Sequence, residues 1–370
     1  MKKPKNKMGQ VDFVLFATIM TLVAIGVVMV YSASSYTALH SKGCRYDDMF
    51  FLKKQSLWVI IGTICMVVAE KRDYHKLKKN TNFFMIVTII LLMAVFAFPD
   101  NHGARRWIYL PGGASIQPSE IAKYVVVLYM AKSIEQKGEK IKNFKYGVIP
   151  YLLVAGFYAG LVLLEKNLSI ASVIMIVTII VLFSAGCRKR HIALVLMLVG
   201  MAGVVFTVIE PYRMKRFVSF LNPWEDPRGD GYQLIQSLLA LGSGGILGAG
   251  LGQSRQKCYY IPEPHNDFIF SIIGEELGLI GCISIILLFL FFIWRGIRTA
   301  IRAKDVFGTL LAIGITGVIA VQAIINIAVV TGSMPVTGVP LPFISYGGSA
   351  LVFNLIAMGI LLNISRQTAN

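Results

Sequence analysis

Apolar residues along this chain come in long uncharged blocks, of which Ile174 to Gly186 and Ile192 to Ile209 are the clearest. About 20 mostly apolar residues cross the hydrocarbon of a bilayer as one helix. On that rule ten spans emerge, near residues 11–31, 56–69, 82–98, 119–134, 146–164, 168–186, 191–210, 268–294, 306–331 and 347–364. The second and fourth are short or interrupted by polar residues. The pattern therefore predicts an all-α integral membrane protein of about ten transmembrane helices, one polytopic domain over residues 1–370. Glu210 to Asp267 is the only sizeable extramembrane piece. It holds Pro211, Pro223, Pro227, Pro262 and Pro264 around a glycine-rich centre. An apolar yet glycine-rich segment of that kind predicts a large extracellular loop with a re-entrant element packed into the protein.

Composition narrows the class. Apolar residues make up 56% and charged residues 15% of the 370 positions, with a mean hydropathy of +0.67. A soluble domain carries roughly a quarter charged residues, so a soluble enzyme and a disordered chain are both excluded. The net charge of +17 is not read as a nucleic-acid footprint, and no nucleic-acid partner is expected. Segments 1–10, 70–80, 132–145, 187–190, 295–305 and 365–370 hold 22 of the 36 Lys and Arg. The positive-inside rule then puts both termini in the cytoplasm of a multi-pass cell-membrane protein; Lys53 and Lys54 are exceptions. Met1 to Lys7 followed by an apolar run, with small residues at Tyr31-Ser32-Ala33-Ser34, has the layout of a signal peptide. The run is longer than a signal core, so an uncleaved first span is expected. Cys44, Cys65, Cys187, Cys258 and Cys282 form no metal spacing and are expected as core- or lipid-facing thiols. Only Cys44 and Cys258 share a side on which a disulfide could form. No Walker motif is present, and the glycines do not have the spacing of a phosphate loop, so no nucleotide is expected. Thirteen of the 19 acids fall on the outer side, and there the chemistry is expected.

Ionisable residues in or beside a span are costly and mark function. The first cluster is Asn101-His102-Gly103-Ala104-Arg105-Arg106-Trp107, followed by Gln117-Pro118-Ser119-Glu120 and Lys123. Pro118 suits the first position of a helix and Glu120 its first turn, so Glu120 reads as a helix-start residue or a site residue. Lys123 either snorkels to the outer headgroups or joins Arg105 and Arg106 in a phosphate or pyrophosphate site. The second cluster, Glu165-Lys166-Asn167, reads as a solvated outer turn. The third is the large loop, with Asn222-Pro223-Trp224-Glu225-Asp226-Pro227, Gly229 to Gln233, and Gly242 to Lys257. In the fourth, Pro262-Glu263-Pro264-His265-Asn266-Asp267 opens the eighth span, and Glu275 and Glu276 lie about two turns deeper. Those two carboxylates call for pairing with a basic or amide group. Asp267 reads either as a helix cap or, beside His265, as a substrate contact. Met334 to Ser349, with three prolines, is a shaped outer loop.

These blocks, in this order, resemble the SEDS family (shape, elongation, division and sporulation), which groups FtsW, RodA and SpoVE. The resemblance runs from Tyr31-Ser32-Ala33-Ser34-Ser35 to Asn363-Ile364-Ser365-Arg366. Asn222 to Gln233, Gln236-Ser237-Leu238 and Gly250 to Lys257 look like the FtsW and SpoVE branch. The resemblance implies a peptidoglycan glycosyltransferase that polymerises lipid II on the outer face, with undecaprenyl pyrophosphate as leaving group. It implies a class B penicillin-binding protein (a transpeptidase) as partner, within the division or sporulation machinery. The family's essential aspartate falls on Asp267, and its basic residues fall on Arg105, Arg106 and Lys123. Two departures stand out: Asn266 replaces the usual Thr, and Lys166-Asn167-Leu168-Ser169 replaces Pro-Asp-Leu-Gly.

The expected chemistry needs a base for a sugar hydroxyl and positive charge for a departing pyrophosphate. Asp267 is assigned as the base. Arg105, Arg106 and Lys123, with Glu120 and His265, are the expected substrate contacts. A divalent cation, Mg or Mn, is the one cofactor considered, without an identifiable ligand set. The rivals are a lipid II flippase or transporter, which would use the same cationic site without covalent chemistry, and a scaffold that only positions the transpeptidase.

Overall fold

The computed structural model describes residues 9–99, 104–110, 114–209 and 211–368, without the side chains of residues 211–213. Met1 to Lys7, Asn101, His102, Gly103 and Glu210, all named above, lie outside the described residues, as does the side chain of Pro211.

The chain is a bundle of helices: α1 (Phe13–Leu39), α2 (Phe50–Lys71), α3 (His75–Ala94), α4 (Pro118–Lys137), α5 (Ile149–Leu164), α6 (Leu168–Ser184) and α7 (Lys189–Ile209). Two shorter helices, α8 (Pro211–Leu221) and α9 (Tyr232–Ser243), precede α10 (Ile269–Ile301), α11 (Val306–Val330) and α12 (Gly348–Arg366). The strands β1 (Ile108–Tyr109) and β2 (Ser115–Ile116) pair antiparallel ahead of α4. Among the described residues, eight helices meet the length and apolarity needed to cross a membrane. The other two expected spans are α6, apolar but only 17 residues long, and α4, long enough but broken by Glu120 and Lys123. The protein is a multi-pass membrane protein.

Several helices outrun their apolar cores. The first span extends to Leu39 rather than stopping near 31, because Ser32, Ala33, Ser34 and Ala38 turn inward and are buried. The second begins at Phe50: Lys53 is accommodated at its end by Asp47, 2.6 Å away. α11 is the central helix. It is buried along most of its length and packs against α4, α6, α9, α10 and α12. All five cysteines are free thiols, so Cys44 and Cys258 are not bridged.

One face of the bundle is tied together by polar contacts between sequence-distant segments. Asp12 pairs with Arg295, and Arg366 holds Glu70 at 2.9 Å. Asn363 accepts from the backbone N–H of Tyr74 at 3.0 Å and donates to the Glu70 carbonyl at 2.5 Å. The opposite face carries Asp267 and the large loop.

That loop is re-entrant in its packing, and it repairs a break. Gly278 leaves the helical region inside α10 (φ 66°, ψ −165°). In an unbroken helix the N–H groups of Leu279 and Ile280 would bond the carbonyls of Glu275 and Glu276. Instead, the loop after α9 inserts between them. Ala249 and Gly250 donate to the carbonyls of Glu275 and Glu276 at 2.9 and 3.0 Å. Leu279 and Ile280 donate to the carbonyls of Gly245 and Ile246 at 2.9 and 3.2 Å. The insertion requires glycine: a Cβ on Gly248 would lie 2.2 Å from the Glu276 carbonyl oxygen, at φ +83°.

The side chains of Glu275 and Glu276 complete the seal. Glu275 accepts from the Ser254 hydroxyl at 2.5 Å and from the backbone N–H of Arg255 at 2.8 Å. Glu276 accepts from Lys257 Nζ at 2.9 Å and from the Ser32 hydroxyl at 2.5 Å. Breaking one partner of a buried ion pair costs about 3–5 kcal/mol, because the other charge is left buried alone. Lys257→Met is therefore expected to lower stability by about that amount, and Lys257→Met with Glu276→Gln to recover most of it. Denaturation of the purified protein in one detergent, read for both variants, checks this.

Candidate functional site

Asp267 lies immediately before α10, and four elements position it. The cap position of α10 is Phe268, without a side-chain capping bond, so Asp267 is not the helix cap. Its backbone carbonyl is held by Asn326 of α11, whose Nδ2 donates to it at 2.7 Å and to the Val339 carbonyl at 2.8 Å. Asn326 thus fixes the aspartate and the proline-rich loop together. Ser345 reinforces the joint, donating to the Asn266 carbonyl and accepting from the Leu341 N–H, both at 2.8 Å. Gly338 (φ +74°) passes so close that a Cβ there would lie 3.1 Å from Asp267 Oδ2.

Arg216 of α8 donates to the Val336 carbonyl at 3.0 Å, and Ser169 of α6 donates to the Thr337 carbonyl at 2.5 Å. So α6, α8, α11 and the proline-rich loop converge on one carboxylate. That carboxylate makes no hydrogen bond of its own among the described residues. It remains partly exposed. Burial and the neighbouring Glu263 raise its pKa to about 6, while Arg216 and Arg106 act to lower it. The structure thus moves Asp267 toward neutrality, yet it stays mostly ionised at pH 7.

The expected basic residues separate. Arg106 Nη2 and Nε donate to the carbonyls of Lys166 and Glu165 at 2.6 and 3.3 Å, and its charge acts on Asp267. Arg105 is exposed and donates to the Phe96 carbonyl at 2.9 Å, so it anchors the end of α3. Lys123 neither snorkels nor meets the surface. It is 1% exposed and bound to Glu120 at 2.7 Å and Gln322 at 2.9 Å. Glu120, also buried, is its partner, so these two tie α4 to α11 and do not line an open surface. His265 is buried between the rings of Phe51 and Tyr346, with centroids 4.2 and 5.5 Å away. Burial lowers its pKa to about 4, so it is neutral at pH 7. Its backbone carbonyl accepts from the Tyr346 N–H at 2.8 Å.

Glu165 corrects the reading of the second cluster as a solvated turn. It is fully buried, and among the described residues neither carboxyl oxygen has a hydrogen-bond partner of normal geometry. Burial raises its pKa to about 8, with Arg106 and the adjacent Ser119 opposing the shift. Asn167 caps α6 by accepting from the Ile170 N–H at 3.2 Å, which turns the chain so that Glu165 faces inward. Sequence reasoning also missed Arg216, Asn326 and Gly338. The only signals for them were a basic residue on an amphipathic helix and a lone Asn within an apolar span. No group of three or more His, Cys, Asp or Glu among the described residues could hold a metal ion.

The sequence matches the FtsW/RodA/SpoVE cell cycle protein model over residues 12–370. The chain belongs to this family. Among its relatives is a probable peptidoglycan glycosyltransferase FtsW of Geobacter sp. (strain M18), 44% identical over 360 residues, 96% of this chain and 97% of that one. Stage V sporulation protein E of Bacillus subtilis (strain 168) is 44% identical over 363 residues, 96% of this chain and 97% of the relative. These relatives place the chain in the FtsW/SpoVE branch of the SEDS family. A solved chain from a peptidoglycan synthase complex that coordinates polymerization and crosslinking superposes with TM-score 0.79 at 27% identity, covering 96% of this chain and 98% of that one. The crystal structure of the Thermus thermophilus rod shape determining protein RodA gives TM-score 0.71 at 25% identity, over 97% of this chain and 98% of that one.

The buried acid behind Arg106 has a stability signature. Glu165 is protonated in the folded protein up to about pH 8 but only to about 4.3 when unfolded. Between those values the unfolded state binds fewer protons, so its contribution to stability falls as pH rises. Thermal unfolding from pH 5 to 9 is expected to show Glu165→Gln more stable than the parent at pH 8 and above, with the gap closing toward pH 5.

Proposed function

We propose that this SEDS protein is a peptidoglycan glycosyltransferase that polymerises lipid II on the outer face of the cytoplasmic membrane during division or sporulation. The observation that carries the reading is the Asp267 carboxylate: it is mostly ionised at neutral pH, makes no hydrogen bond among the described residues, and sits beside Gly338 on a backbone that Asn326 holds. The GlcNAc 4-hydroxyl of one lipid II attacks C1 of the MurNAc at the end of the growing strand. Its proton passes to Asp267 as the new glycosidic bond forms. The bond from C1 to the diphosphate breaks, and undecaprenyl pyrophosphate departs with the electron pair. Arg106 and Arg216, the cations that act on Asp267, stabilise the diphosphate charge as it develops. Arg105 meets substrate phosphate from the rim. Lys123 and Glu120 act from behind, by holding α4 against α11, and His265 supports the sugar site as a neutral, packed ring. A divalent cation would be held mainly by the substrate's own diphosphate, and no step is assigned to it.

Both termini lie in the cytoplasm on this reading, as the Lys and Arg distribution supports. A class B penicillin-binding protein is the partner, a reading supported by the likeness to a chain from a peptidoglycan synthase complex. The feature that suits a transporter is the deep Glu275–Glu276 pair. It is already engaged by Ser254, Lys257 and the loop backbone, which favours the polymerase.

Purified protein supplied with lipid II, with and without a cognate transpeptidase, tests the proposal. Asp267→Asn is expected to insert normally and lose about 10²–10⁴-fold in glycan formation, the range of general base catalysis. Wild-type rates from that variant would overturn the base assignment. Glycan chains absent from wild type in every condition would favour the flippase. The parent's rate is expected to rise with pH through about 6 and level off above it, since the carboxylate form is the base. A flat profile between pH 5 and 7 in the chemical step would argue against it.

A further inference from the structure

On the face opposite Asp267, the connection from α4 to α5 and the turn from α6 to α7 line an open pocket of about 500 Å³. Its wall is cationic, with Lys142, Arg188 and Arg190 beside His191, Phe144 and Glu139. Glu139, the only carboxylate in that wall, is paired with Lys142 at 2.5 Å. Arg188 and Arg190 have no carboxylate partner among the described residues. The His191 ring rests against Phe144, centroids 5.1 Å apart, and its Nδ1 is buried without a hydrogen-bond partner. A buried ring nitrogen left unpaired is costly, and two guanidinium forks beside it match the oxygens of a phosphate.

The surroundings say what kind of phosphate. His191 lies in the first turn of α7, and Leu194, Leu198, Met201 and Val205 follow it on the same helix face at spacings of three and four. All four are exposed. At 1.5 Å per residue the stripe from His191 to Val205 runs about 21 Å, more than the roughly 15 Å depth of one leaflet of hydrocarbon. A cationic pocket at one end of an uncovered apolar track has the shape of a lipid: headgroup in the pocket, acyl chain along the helix. Basic pockets between spans on the cytoplasmic side recognise such headgroups.

We propose that this cavity binds the phosphate of an anionic phospholipid in the inner leaflet, one without a compensating ammonium, with an acyl chain along α7. The occupant would join the α4–α5 connection to the start of α7, a helix that little else covers.

Native mass spectrometry of the full chain in detergent, titrated with phosphatidylglycerol or phosphatidylcholine, tests this. Wild type is expected to retain phosphatidylglycerol about 10-fold better than phosphatidylcholine. Arg188→Gln with Arg190→Gln is expected to abolish the preference. Lys76→Gln with Lys79→Gln, which removes two exposed charges elsewhere on the same face, is expected to leave it intact. Equal retention of the two lipids by wild type overturns the proposal, as does an equal loss in both charge variants. Displacement of phosphatidylglycerol by millimolar inorganic phosphate also overturns it, by showing that a soluble anion is the ligand. If the double arginine variant does not fold, His191→Phe carries the test. It keeps the ring packed on Phe144 and removes Nδ1, so retention should fall about 3-fold; unchanged retention would sink the assignment.

Discussion

A backbone group without a partner is among the costliest things a membrane protein can hold, several kcal/mol for each N–H or C=O kept from water. The break in α10 opens four such groups at once, the carbonyls of Glu275 and Glu276 and the amides of Leu279 and Ile280. All four are answered by residues Gly245 to Gly250. The outer architecture depends on this exchange. It explains why the loop is glycine-rich, since carbonyls approach where any Cβ would sit. It also explains why two adjacent glutamates survive inside a span. Their carboxylates hold the far end of the same loop through Ser254 and Lys257.

With the break sealed, the first two turns of α10 become a short rigid post, separate in direction from the rest of the helix. Asp267 stands at its head. Asn326 reaches from the central helix to the aspartate's carbonyl and to Val339, so post and proline-rich loop move as one body. Arg216 and Ser169 pin that loop from two other sides. A carboxylate on a surface loop would wander by ångströms. Here its backbone is fixed, and Gly338 leaves the space beside Oδ2 that any Cβ would crowd. A proton acceptor needs such placement, because its efficiency depends on reaching the hydroxyl at hydrogen-bond distance.

The bundle was legible in the sequence because a bilayer demands long apolar runs, and the positions of the spans follow from counting. Their ends were less so. Ser32 to Ala38 continue α1 because those small residues face inward, and hydropathy does not report direction. The re-entrant loop could be read from its glycines, and the engagement of Glu275 and Glu276 from the expense of two deep charges. What escaped was the depth of single polar residues. Lys123, one turn into a helix, looked like a headgroup-snorkelling cation or part of a phosphate site. Instead it is buried against α11, where Glu120 and Gln322 take the charge. Glu165 looked solvated because a short polar turn normally is. Its burial goes with the grip of Arg106 on the turn's carbonyls, a contact between segments 60 residues apart, while Asn167 caps α6 locally. Arg105 and Arg106 are adjacent in sequence and diverge in space, and no pattern along the chain tells them apart.

The two acids near Arg106 divide the work of charge. Asp267 titrates near 6 and Glu165 near 8, both displaced upward by burial, so at neutral pH one is ionised and the other is not. Were both ionised, Arg106 would face two carboxylates, and its field would be spent on the protein. With Glu165 neutral, one carboxylate fewer competes for that guanidinium, which donates to the carbonyl oxygens of Glu165 and Lys166. The proposed reaction needs one negative oxygen to take a proton and positive charge near the departing diphosphate. Groups whose environments push their protonation states apart are how one site serves both needs at a single pH. In this chain burial raises both acids, and Glu165, the more enclosed, is the one carboxyl of a turn whose Asn167 caps α6.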